Sequence, residues 1–156
     1  MNTKYNTLFQ ESILNKEEFW KKHANEISWF KSPEKVLTLN ENNYHEWFVD
    51  GELNMSYLCI DKHVDEGFGD QIAVIYDSPV TQQQIKYTFH QLKDEVAKLA
   101  GGLKSLGLKK GDTAIVYMPM IPQTLFAMLA CARLGVIHNV VFGGFAPQEL
   151  VVRIDD

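Results

Sequence analysis

The residues best suited to meeting another molecule are Phe142, Gly143, Gly144 and Phe145, a run that follows a β-rich stretch and precedes Pro147. Adjacent glycines let the main chain turn sharply and let a second molecule reach contact distance of the backbone. A helix opening at Pro147 would point free N–H groups at the same crevice. A plain turn is the commoner role of such a pair, and short glycine motifs match by chance often. The run is not Gly-x-Gly-x-x-Gly, and no Lys-Ser or Lys-Thr marks a nucleoside-triphosphate loop.

Other reactive side chains are scattered. The five histidines, His23, His45, His63, His90 and His138, show no metal-ligand spacing and no pairing with a nucleophile. Cys59 and Cys131 lack Cys-x-x-Cys companions, which argues against a zinc site and excludes a disulfide framework. Cys131 falls in an apolar helical run, where a thiol acts as a small hydrophobe. Ser78 and Thr81 suit a turn, and Asp155 and Asp156 a solvated helix face rather than an acid–base pair. No residue is assigned a catalytic role and none a metal.

The elements that must position the glycine run are legible from periodicity. Asn15 and Glu18 predict a capped helix over 16–26, with Phe19 and Trp20 as anchors and Ser32-Pro33 beyond its end. The Asn-rich stretch 40–50, with Tyr44, Trp47 and Phe48, reads as a packed loop. A second helix is expected from Asn54 to Gly67. Residues 72–76 and 85–88 read as neighbouring strands or a hairpin, with Gln82 to Gln84 in the turn.

Thr88 and Gln91 form a capping box, and Phe89, Leu92, Val96, Leu99, Leu103 and Leu106 make one apolar stripe that stops at Gly107. A buried strand over 113–117, a helix over 124–134 opened by Pro122, and a strand over 136–142 complete a βαβ unit. The fold class is α/β with a parallel sheet, and ligands of such sheets bind beyond the carboxyl ends of the strands. Two loops occupy that edge, 118–121 and 143–147.

A net charge of −5 excludes a nucleic-acid or anionic-membrane surface as the main partner, since nothing basic offsets phosphate repulsion. The polar start, 1–12, lacks the apolar core of a signal peptide, and the longest apolar run, 125–132, is far short of a membrane span. The expected setting is cytoplasmic.

The wording of the chain carries more than its periodicity. Tyr117-Met118-Pro119-Met120-Ile121-Pro122, Ala127-Met128-Leu129-Ala130-Cys131-Ala132-Arg133 and Val141-Phe142-Gly143-Gly144-Phe145 resemble the acetyl-CoA and propionyl-CoA synthetase family. Gly69-Asp70-Gln71-Ile72-Ala73, Asp77-Ser78-Pro79-Val80-Thr81, Trp47-Phe48-Val49 and Gly51-Glu52-Leu53-Asn54 match the same family upstream. The likeness runs in order over 19–156. Its departures are Gln82 to Lys86 and Ser56-Tyr57-Leu58.

The resemblance implies an amino-terminal piece of an AMP-forming acyl-CoA synthetase. Residues 1–66 would be a helical amino-terminal cap region and 67–156 the incomplete start of the adenylation domain. The family joins acetate or propionate to coenzyme A with ATP and Mg, through an acyl-adenylate, releasing AMP and diphosphate. Its Ser/Thr/Gly-rich loop ending in Pro-Lys-Gly does not occur here, so the chain is expected to be inactive alone. The wording at 77–81 and 145–150 leans toward propionate. The resemblance places Phe142, Gly143 and Gly144 along the side where CoA binds. A free-standing, non-catalytic module that binds CoA or a protein is the competing reading. Exposed Leu150, Val151 and Ile154 on a last helix, with an open sheet edge, predict self-association.

Overall fold

The computed structural model describes residues 3–155. Contacts divide the chain into two compact units, one up to Leu53 and one from Asn54. The readings that involve Met1 and Asp156 lie outside the described residues.

The first unit opens with α1 (Thr3–Leu14), an element the sequence reading did not foresee; it buries no side chain. α2 (Lys16–Ala24) stops two residues before the expected end. Its expected cap is not formed. Asn15 has φ −121° and ψ 49°, not the extended backbone that aims a capping side chain, because its N–H still bonds Glu11 O of α1 at 2.9 Å. The indole N–H of Trp29 instead closes the far end, donating to Ala24 O at 2.8 Å.

Residues 40–50 are not simply a packed loop. They hold the turn and second strand of an antiparallel hairpin, β1 (Leu37–Leu39) with β2 (His45–Trp47). The Asn40 carboxamide oxygen accepts from the N–H groups of Asn42 and Tyr44, both at 3.0 Å, which makes the asparagine cluster a side-chain-mimicked turn. Trp20 meets Trp47 edge to face at 5.9 Å and so anchors α2 on the hairpin, whereas Phe19 meets Trp20 and His23 of its own helix.

In the second unit a helix spans 55–68, with wide π-type turns at Tyr57–Asp61 and Val64–Phe68. Asn54 caps it by accepting from Tyr57 N–H at 3.1 Å, and Gly67 breaks its geometry at φ 88°. β3 (Ile72–Ser78) and β4 (Gln83–Thr88) form an antiparallel hairpin. Gln83 and Gln84 extend β4 rather than fill the turn, because Ser78 pairs with Gln83 and leaves only 79–82 to reverse the chain.

α3 (Phe89–Ser105) begins with the expected capping box, Thr88 and Gln91 bonding reciprocally at 3.2 and 2.9 Å. It ends with Leu108 N–H on Leu103 O and Gly107 N–H on Lys104 O, the paired closure that a left-handed glycine permits. β5 (Thr113–Met118) and β6 (Ile137–Phe142) pair in parallel through α4 (Pro122–Leu134), and α5 (Pro147–Asp155) follows.

Leu92, Val96 and Ala100 of α3 pack with Phe126 and Ala130 of α4 and with Ile60 of the 55–68 helix. Beside this core, buried Asp61 binds the Arg133 guanidinium on α4 and pairs with Lys93 on α3 at 3.4 Å. The Asn54 amide donates to the carbonyls of Ala132 and Arg133 at 3.0 and 3.2 Å, so one side chain starts the 55–68 helix and finishes α4. In urea unfolding followed by circular dichroism, Phe126→Ala is expected to cost about 3–5 kcal/mol and Thr88→Ala about 1 kcal/mol.

Candidate functional site

The parallel register decides which loops meet. Met118 pairs with Phe142, so both strands end at one level and the chain leaves each at the same edge. Phe142 closes β6, and Gly143 and Gly144 turn away from it; Phe145 N–H donates back to Phe142 O at 3.0 Å. The three residues assigned to a ligand wall therefore lie together at the carboxyl edge, beside 118–121.

The two glycines differ in how strictly their positions demand glycine. A Cβ on Gly143 would lie 3.1 Å from the carbonyl carbon of Met118 and from Pro119 N, so its close backbone approach is to this chain's own β5 exit. A Cβ on Gly144 would fall 2.7 Å from the Phe142 ring, the far end of an exposed side chain that can rotate aside. The β5 exit is itself fixed: Pro119 O accepts from Thr124 Oγ1 at 2.6 Å and from Ile121 N–H at 2.9 Å.

Two residues that the sequence reading passed over complete the turn. The Tyr117 hydroxyl donates to Phe145 O at 2.8 Å, and the Arg153 guanidinium lies over the Phe145 ring, 5.7 Å from its centroid. The signal for Tyr117 was its place in a strand's penultimate position beside the glycine run; Arg153 had none. Phe142 and Phe145 meet edge to face at 6.0 Å.

The start of α5 is a poor anion seat. Pro147 offers no N–H, Glu149 N–H is taken by Ala146 O at 3.0 Å, and the Glu149 carboxylate sits in the first turn. Arg153 is held by Glu149, through its carbonyl at 2.7 Å and its carboxylate at 3.0 Å. The turn thus offers a shaped main-chain wall rather than a charge clamp. The residues present do not fit ATP and Mg: the chain has no Gly-rich, Lys-bearing phosphate loop, and among the described residues no three His, Cys, Asp or Glu side chains converge as metal ligands.

A groove of about 440 Å³ runs between the β3–β4 turn and the β5 exit, lined by Tyr76, Ser78, Val80, Met120 and Ile121 among others. Ser78 itself serves the turn, accepting from Thr81 N–H at 3.2 Å. A larger groove of about 740 Å³ follows the β5–β6 face, along Ile115, Ile137, Val140 and Ile154. Of the histidines in the second unit, His138 lines this larger groove. The His90 ring lies against Gly69, where a Cβ would fall 2.2 Å from it, and meets Asp70 at 3.2 Å; His63 faces the Phe89 ring at 4.7 Å. Cys131 is buried, which raises its thiol pKa, and Cys59 is exposed.

Gly143→Ala is expected to lower stability by about 1–3 kcal/mol, because backbone must move, and Gly144→Ala by less than about 1 kcal/mol. Paired thermal melts of the two variants check the difference; equal losses would contradict the geometry.

The comparisons with known proteins agree with this layout. The model described as "AMP-binding enzyme" matches residues 61–156, and the one described as "Acetyl-coenzyme A synthetase N-terminus" matches residues 5–59. The chain is 51% identical over 151 residues to the mitochondrial acyl-CoA synthetase short-chain family member 3 of Bos taurus, covering 97% of this chain and 22% of that protein. It is 42% identical over 158 residues to the acetyl-coenzyme A synthetase of Shewanella frigidimarina, covering 99% of this chain and 24% of that protein. The fold matches the acetoacetyl-CoA synthetase of Streptomyces lividans with a TM-score of 0.82 at 25% identity, over 94% of this chain and 22% of that one. The chain therefore spans less than a quarter of the length of these relatives. It belongs to the AMP-binding enzyme family, and its first part to the acetyl-coenzyme A synthetase amino-terminal family.

Proposed function

We propose that this chain is the amino-terminal part of an AMP-forming short-chain acyl-CoA synthetase, which converts acetate or propionate, ATP and CoA to acyl-CoA, AMP and diphosphate. Alone it catalyses nothing. Residues 1–66 act as the cap region and 67–156 as the start of the adenylation domain, working in the cytoplasm. ATP and Mg are bound by residues outside this chain, and Phe142, Gly143 and Gly144 form one wall of the CoA groove.

The observation that carries the reading is the glycine turn, packed backbone to backbone on the β5 exit at the carboxyl edge of a parallel pair. That edge is where sheets of this kind bind ligands. The two family matches follow one another along the chain in the order that an amino-terminal region and an adenylation domain require. The propionate lean rests on 77–81 and 145–150 and is the finer part of the proposal.

The test is acid-dependent ATP–pyrophosphate exchange. The isolated chain should show none. A chimera in which it replaces the matching region of the Shewanella frigidimarina enzyme should show exchange and form acyl-CoA. Exchange by the isolated chain would refute the division of labour, and a folded but inactive chimera would refute the assignment.

The isolated chain should also self-associate. Ile137, Val140 and Ile154 are exposed along the β5–β6 groove, and Val151 and Val152 on α5; Leu150, expected to be bare, is half-buried. Apolar patches of this kind drive association. Light scattering at rising concentration should report growing mass, and a constant monomer would contradict it.

A further inference from the structure

The glycine turn is fastened at both ends by groups outside it. At one end Phe142 is held in the ladder opposite Met118. At the other, the Tyr117 hydroxyl reaches from β5 to Phe145 O at 2.8 Å, joining residues 28 apart in sequence. Between these points the Met118–Pro119 peptide leaves no room for a side chain on Gly143, since a Cβ there would fall 3.1 Å from it. On the far side of Phe145, Arg153 is fixed by its two bonds to Glu149 and covers the ring with its guanidinium.

A turn that becomes ordered only when a ligand arrives subtracts that ordering from the affinity. A turn already fastened does not. We infer that Tyr117 and Arg153 are positioning residues: through Phe145 they hold the main chain of Phe142, Gly143 and Gly144 in the shape that a CoA molecule meets. Neither needs to touch the ligand. The inference rests on the reading of this turn as a wall of the CoA groove, and it adds the residues that set that wall's rigidity.

The first arm of the test uses the 156-residue chain and hydrogen exchange of the Phe145 amide, whose bond to Phe142 O closes the turn. Tyr117→Phe and Arg153→Ala should each speed that exchange about tenfold, while amides in the α3–α4 core stay at wild-type rates. Arg153→Lys, which keeps a cation for the ring, should return it close to wild type. Wild-type exchange at Phe145 in both loss variants would overturn the inference.

The second arm uses the Shewanella chimera. Tyr117→Phe should raise KM for CoA about fivefold, with pyrophosphate exchange within about twofold of the parent. Faster Phe145 exchange with an unchanged KM for CoA would keep the fastening and refute its service to CoA. An inactive parent chimera would count against the proposed function alone, and the exchange arm would still decide whether Tyr117 and Arg153 hold the turn.

Discussion

The in-register parallel pairing of β5 and β6 is the constraint on which the second unit depends. Parallel neighbours cannot be joined by a tight turn, so the chain must cross one face of the pair before it returns. α4 is that crossing. Its apolar face must then be buried, and α3 and the 55–68 helix bury it, with Phe126 and Ala130 meeting Leu92, Val96 and Ile60. The register also builds the site. Because Met118 stands opposite Phe142, both strands release the chain at one level, and a Cβ on Gly143 would fall 3.1 Å from the Met118–Pro119 backbone. A slip of one residue would turn Val141, now 1% exposed, out of the interior and move Gly143 relative to the β5 exit.

A polar tie works beside the apolar core. Ile60 and Asp61 are consecutive and both buried, within a wide-turned stretch of helix. One enters the core and the other receives Arg133 and Lys93 from two different helices. Buried ion pairs contribute little net stability relative to well-packed apolar residues, but an unpaired buried carboxylate is costly. Such a group therefore disfavours arrangements in which α3 and α4 are displaced. Asn54 has a related effect, since its one amide satisfies the start of a helix and the end of another. Both devices select one packing of three helices.

Much of this was legible in the sequence because the relevant signals are local. The capping box at Thr88, the stripe of α3, Pro122 at the head of α4, Gly107 and Gly135 at helix ends, and the strand–helix–strand spacing each follow from near neighbours. The hairpin at 37–47 was missed because its strands are three residues each, too short for alternation to register. The cap at Asn15 failed because a preceding helix, itself unsignalled, had already set the Asn15 backbone. At the site, the glycines were visible and their restraint was not. Tyr117 to Phe145 and Arg153 to Phe145 are tertiary contacts, and nothing in the residue types announces which carbonyl a tyrosine hydroxyl will meet or which ring a guanidinium will cover.

The chemistry this chain can supply is positional. Phosphoryl and acyl transfer need charge to be stabilised where it develops, by cations, metals or converging N–H groups. At the carboxyl edge the nearby cation, Arg153, is committed to Glu149 and to an aromatic ring, and the helix that begins there carries a carboxylate in its first turn. What the edge does provide is a stiff main-chain surface: a glycine turn held by strand pairing, a tyrosine hydrogen bond and a steric fit to its own neighbour. A parallel sheet is ordinarily covered on both faces. Here α4 lies against the pair, while Ile137 and Val140 are still exposed. In the proposed reading, an exposed apolar sheet face and a glycine turn fastened at its edge are the features of a frame rather than of a charged reaction centre.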